Sequence, residues 1–121
     1  TMERAIPILP TDDPEEAIRF YVDGLGFQVV FEAHYPNTPQ QGRILGLERG
    51  VLCIHLDCPM PGHGRNACVY LDVDDADALY AEWSPKIDID DPPEDQPWGS
   101  RTFTVMDPFG NSLFVVGPQG G

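Results

Sequence analysis

Ile8-Leu9-Pro10-Thr11-Asp12-Asp13-Pro14-Glu15-Glu16-Ala17-Ile18-Arg19-Phe20-Tyr21 shares a plan with Tyr70-Leu71-Asp72-Val73-Asp74-Asp75-Ala76-Asp77-Ala78-Leu79-Tyr80. Each places an apolar strand, an acidic cap and an amphipathic helix in that order. A repeat of roughly 60 residues makes the chain two copies of one supersecondary unit, and that decides the fold. In the first copy Asp13 is a good N-cap, Pro14 suits the first turn, and Glu15 and Glu16 favour the positive end of a helix. Ala17, Ile18, Tyr21 and Val22 fall at helical spacing, and Gly24-Leu25-Gly26 stops the helix. In the second copy Asp74 to Asp77 cap a helix running through Leu79, Ala81 and Glu82 to Trp83, which reads as core packing.

Strands fill the remainder of each unit. Ala5 to Leu9 is short and apolar, and Pro7 puts it at a sheet edge because it denies one ladder hydrogen bond. Phe27 to Ala33 is a strand, Pro36 to Gly42 a polar loop, and Arg43–Glu48 with Val51–Leu56 a hairpin. The stretch Cys58 to Arg65 breaks every regular pattern and reads as a linker. Ala67 to Val73 opens the second unit, and Pro85 to Gln96 is a long acidic loop with room for a short strand at Ile87 to Ile89. Strands over 101–106 and 112–117 close the unit. The expectation is a single α+β domain over 1–121: module one over about 3–58, linker 59–65, module two over about 66–118. Its two tandem βαβββ modules form a curved mixed sheet around a cleft, with the helices outside.

Lys and Arg number 7 against 20 for Asp and Glu, a formal charge of −13. Such a field repels nucleic acid and anionic membrane and attracts cations, although solubility alone would also account for it. Hydrophobic residues make up 41% of the chain, which argues against disorder. Cys53, Cys58 and Cys68 are odd in number and form no Cys-x-x-Cys pair. With no apolar run at the start of the chain, they read as reduced thiols of a cytoplasmic protein. No stretch approaches transmembrane length.

The second half carries one unusual segment, Gln96-Pro97-Trp98-Gly99-Ser100, leading through a strand to Asp107-Pro108-Phe109-Gly110-Asn111. Asp107, Pro108, Gly110 and Asn111 specify a turn. Trp98, pinned between Pro97 and Gly99, is either an exposed stacking platform or a loop anchor. Gly99 leaves room for a ligand or another backbone to approach.

The paired modules, Ala17-Ile18-Arg19-Phe20-Tyr21 followed by Gly24-Leu25-Gly26-Phe27, and Asp107-Pro108-Phe109-Gly110-Asn111 resemble the vicinal oxygen chelate superfamily of glyoxalases, bleomycin resistance proteins and dioxygenases. Ile6-Pro7-Ile8-Leu9, Leu79-Tyr80-Ala81-Glu82-Trp83 and Gln96-Pro97-Trp98-Gly99 are similar to bleomycin resistance proteins within it. The resemblance implies a two-fold dimer, often with exchange of the N-terminal strand, with two clefts at the subunit boundary. It also implies a divalent metal in the family's enzymes, held at places that fall here at Ile6 (or Pro7), Cys68 and Phe114. None of these is a hard oxygen or imidazole ligand, and a lone thiol is a poor site. His55 near the cleft reads as structural or surface, His63 lies in the linker, and His34 at a strand end. No nucleophile elbow, phosphate loop or Cys-His pair replaces the metal.

The reading is therefore of a metal-free, cofactor-free, non-enzymatic protein that sequesters a cationic or planar antibiotic. Trp98 would stack, Phe31, Tyr35 and Phe103 would form walls beside Gly99, and Asp88, Asp90, Asp91, Glu94 and Asp95 would supply negative potential. For Phe31, Tyr35 and Phe103 a core role fits the sequence equally well. Two alternatives stand beside this: a metal-dependent enzyme using His55 with Cys68 or a partner-chain carboxylate, and a metabolite-carrying accessory protein.

Overall fold

A computed structural model describes residues 3–34, 42–58 and 66–119. Tyr35, His63, most of the 36–42 loop and the 59–65 linker lie outside the described residues. Module one runs β1 (Ile8–Pro10), α1 (Pro14–Ile18), a π-helical turn (Arg19–Gly24), β2 (Gln28–His34), β3 (Arg43–Arg49) and β4 (Leu52–Cys58). Module two runs β5 (Cys68–Asp72), α2 (Ala76–Trp83), β6 (Glu94–Asp95), β7 (Ser100–Met106) and β8 (Ser112–Pro118). Each module builds its own four-stranded mixed sheet, in the order β1-β4-β3-β2 and β5-β8-β7-β6. In both, the first strand lies parallel to the last and the other pairs are antiparallel. The expected α+β architecture of paired modules is what the chain adopts.

The helix starts are those the caps dictate. The Asp13 carboxylate accepts from the Glu15 and Glu16 amides, and the Asp75 carboxylate from the Ala78 amide. Beyond Ile18 the first helix departs from expectation, because its second half widens to π geometry. The amides of Leu25 and Phe27 reach back to the carbonyls of Phe20 and Tyr21, both at 3.0 Å. Gly24 ends that turn where a Cβ would stand 2.9 Å from Ile87 Cγ2, so any larger residue would have to push Ile87 aside. Three strand boundaries also differ. β1 begins at Ile8 and includes Pro10, which its edge position tolerates. The hairpin turns at Gly50-Val51, with Gly50 at φ +58°. No strand forms at Ile87 to Ile89, because the end of α2 runs on there, the amides of Lys86 and Ile87 both bonding the Trp83 carbonyl. A two-residue strand forms instead at Glu94, beyond Pro92 and Pro93.

One face of each sheet and both helices share a single core. Leu45, Leu47, Ile54 and Leu56 from the first sheet join Val69, Leu71, Val105, Leu113 and Val115 from the second in one cluster with Tyr21 and Trp83. As expected, Trp83 is fully buried, and its indole N–H donates to the Leu25 carbonyl at 3.0 Å. The turn after β7 locks the modules together. Asp107 Oδ1 accepts from the amides of Phe109 and Asn111, and Oδ2 accepts from the Tyr21 hydroxyl at 2.7 Å and from Asn111 Nδ2 at 3.0 Å. Asn111 Nδ2 donates also to the Pro10 carbonyl at 2.8 Å. Arg49, which forks onto Glu82 and the Leu25 carbonyl, joins the modules at the surface. That pair is partly exposed, so it adds at most about 1 kcal/mol. The buried network outweighs it.

Tyr21→Phe removes one donor from a buried carboxylate and should lower stability by about 1–2 kcal/mol; Asn111→Ala removes the amide that bridges the modules and should cost about 2–4 kcal/mol. Urea unfolding midpoints test both, and a midpoint unmoved by Asn111→Ala would show that the network does not hold the modules. Burial and the adjacent Asp107 carboxylate push the Tyr21 phenol far above its ordinary 10.0. The neutral phenol is thus favoured in the folded state, and its contribution is complete below pH 10 and declines above it, as the unfolded chain ionises first. Stability measured from pH 9 upward should fall more steeply for the native protein than for Tyr21→Phe.

Candidate functional site

Strand alternation leaves the other face of each sheet open. In the second sheet Tyr70 on β5, Phe114 on β8 and Thr104 on β7 are aligned by register, and Cys68, Ser112 and Met106 form the next row. Tyr70 and Phe114 meet edge to face at 6.1 Å, and Tyr70 remains 62% exposed. The loop after α2 folds along this face. Together they enclose an open cleft of about 310 Å³, with Asp88, Asp90, Asp91 and Glu94 around a floor of Thr104, Met106 and Phe114. Gln96 lines it too, its amide held on the Thr102 hydroxyl at 3.0 Å. Such a cleft offers carboxylates for cationic groups and a thioether and ring for a flat apolar surface.

The sequence-derived site residues separate into three places. Glu94, with Asp88, Asp90 and Asp91, lies on the cleft. Asp95 does not: it faces Arg101 at 3.2 Å, and Arg101 also holds Asp77 at 3.0 Å. The hydrogen bonds to Asp77 and then Asp95 raise the guanidinium pKa, so the negative potential expected of Asp95 is spent locally. Phe103 reaches the cleft only at its edge, since it is buried against Tyr80 and Trp83 with centroids at 5.6 and 6.2 Å. Trp98 stands at the tip of the β6–β7 hairpin, 65% exposed, and does not line the cleft of its own chain. The turn beneath it is closed by Gln96 N–H to Ser100 O at 2.7 Å and by the Gln119 amide on the Gln96 carbonyl. Gly99 takes φ +97°, with nothing within 4 Å of where a Cβ would sit.

Phe31 belongs to the first sheet. The row Phe31, Gly46, His55 and Ile8 crosses its open face in register. The Phe31 ring stacks on the His55 imidazole at 5.9 Å, over Gly46, where a Cβ would press on both. Ile8 (52% exposed), Val30 (52%) and Phe31 (48%) leave this face apolar. The sequence reading passed over Tyr70, Met106, Phe114 and Thr104 as contact residues. The period-two pattern marks them as one face of their strands, but which face is open follows only from where the helices pack.

The positions that match the family's metal ligands do not fit a divalent ion. Ile6 precedes β1, and Cys68 is an exposed thiol flanked across the sheet by Ser112. In register the two modules offer Ile8 with His55 and Tyr70 with Phe114, a single imidazole among them. Among the described residues no group of three or more His, Cys, Asp or Glu side chains is placed to hold an ion. No helix among them is long and apolar enough to cross a membrane.

No curated protein sequence matches the chain. Among solved structures, a bleomycin-binding protein in complex with bleomycin is 25% identical with TM-score 0.75, over 98% of this chain and 100% of that one. TnmS3, an antibiotic-binding protein from Streptomyces sp. CB03234, is 26% identical with TM-score 0.73, covering 98% of each chain. A member of the glyoxalase/bleomycin resistance protein/dioxygenase superfamily from Sphaerobacter thermophilus DSM 20745 is 26% identical with TM-score 0.75, over 96% of this chain and 98% of that one. With residues 5–114 also matching the family model itself, the chain belongs to the Glyoxalase/Bleomycin resistance protein/Dioxygenase superfamily.

Proposed function

We propose that this protein binds and sequesters a cationic, planar antibiotic without altering it. The observation that carries the reading is the cleft on the second sheet, where Asp88, Asp90, Asp91 and Glu94 surround Met106 and Phe114. Carboxylates there favour a cation, and the soft apolar floor favours a flat ring. Two of the similar structures are of proteins that bind bleomycin or another antibiotic, which supports the same class of ligand. Trp98, exposed on its hairpin, would serve as the stacking plate.

A homodimer belongs to this proposal. Each chain leaves two apolar faces open, one with Ile8, Val30 and Phe31 and the other with Tyr70 and Met106. A second copy covering them would bury these side chains and bring an indole towards a cleft that Trp98 does not line within its own chain. Phe31 would then contribute from the opposite subunit.

Titration calorimetry with bleomycin tests the ligand class, and Trp98→Ala should bind it about 5- to 150-fold more weakly, the range expected for one lost stacking interaction. Equal affinity in a folded Trp98→Ala protein would remove the stacking role, and no binding of bleomycin or related cationic drugs would favour a metabolite carrier. Sedimentation at micromolar concentration should show a dimer, whereas a monomer would rule out clefts shared between subunits.

A further inference from the structure

Three arginines of the described chain are consumed in ion pairs: Arg43 with Glu15 and Glu32, Arg49 with Glu82, and Arg101 with Asp77 and Asp95. Arg4, Arg19 and Lys86 close no such pair among the described residues, although the molecule carries a formal charge of −13; Lys86 only adds, after the Arg49 hydrogen bond, to the lowering of the Glu82 pKa. Arg19 and Lys86 line one groove of about 310 Å³, between the π-helical turn and the loop after α2, over Phe20, Ile87 and Pro108. An adjoining cavity of about 420 Å³ shares Phe20, Lys86, Ile87 and Pro108 with it and extends to Asp88 and Met106. Asp88 and Met106 are also walls of the acidic cleft. The three spaces thus lie in series along shared walls, acidic at the sheet end and with Arg19 and Lys86 at the other.

We propose that these spaces act as one trough that accepts a single bipolar ligand. Its cationic ring system would lie among Asp88, Asp90, Asp91 and Glu94, and an anionic group such as a carboxylate would lie between Arg19 and Lys86, with an apolar connector over Met106, Pro108 and Phe20. The inference rests on the proposed function, and it narrows the ligand from any planar cation to one that also bears an acid. The charge pattern sets this class. Glu16 and Asp23 line the far groove beside Arg19, so a purely anionic ligand meets carboxylates there as well as the field of the whole protein. A purely cationic ligand leaves Arg19 and Lys86 unused. A ligand with both charges satisfies the two ends, and guanidinium and ammonium donors make charge-assisted hydrogen bonds to its acid.

Two acridinium dyes test this. They are identical except that a five-carbon chain on the ring amine ends in a carboxylate in one and in a methyl group in the other. Fluorescence anisotropy should show the carboxylate dye binding about tenfold more tightly, the worth of one good charge-assisted contact. The double variant Arg19→Gln/Lys86→Gln, both at exposed positions, should bring the two dyes to equal affinity without weakening the methyl dye. Equal binding of the two dyes by the native protein, or a preference that survives the double substitution, overturns the bipolar ligand while leaving the acidic cleft standing. Binding of neither dye overturns the cleft and this inference together.

Discussion

The Asp107 carboxylate is the point on which the two halves of this molecule depend. It is buried, and its oxygens are taken up by two amides of its own turn, the Asn111 side chain and the hydroxyl of Tyr21, 86 residues away. A buried carboxylate without such partners would cost several kcal/mol or would have to take up a proton. Its demand for donors thus draws Tyr21, and with it the helical segment of module one, onto the turn of module two. Asn111 completes the join by reaching the Pro10 carbonyl at the end of β1. The widened turn at Arg19–Gly24 belongs to the same constraint, because it carries Tyr21 into this network while Gly24 approaches Ile87.

From that join follows the placement of every candidate ligand contact. Each sheet has two faces, and the shared core occupies one of each, so the remaining faces look outward. Among the exposed apolar side chains, Ile8, Phe31, Tyr70 and Met106 hold strand positions that alternate with the core. The charges are sorted as well. Arg43, Arg49 and Arg101 neutralise carboxylates around the helices, while the segment after α2 presents Asp88, Asp90 and Asp91 to the second sheet with no basic side chain lining that cleft. Four of the chain's 20 acidic residues are thereby gathered around one cleft.

Much of this was legible in the residues. Caps at Asp13 and Asp75, the edge position of the first strand, the repeated module and the burial of Trp83 all follow from local chemistry or spacing. Less legible were the acidic and aromatic contacts. Asp95 belongs by composition with Asp90 and Asp91, yet Arg101 lies across the hairpin from it and claims it. Phe103 does line the cleft, but most of its ring is buried against Tyr80 and Trp83, which sequence spacing does not show.

What the sequence determined by itself was therefore the order and kind of the elements, because caps, turns and alternation act over a few residues. The tertiary structure alone decided which face of each sheet is open, why the first helix widens, and that Trp98 stands away from its own chain's cleft. Those outcomes rest on contacts between residues far apart in the chain, such as Tyr21 with Asp107 and Pro10 with Asn111, and no local pattern specifies which distant donor will meet a buried acceptor.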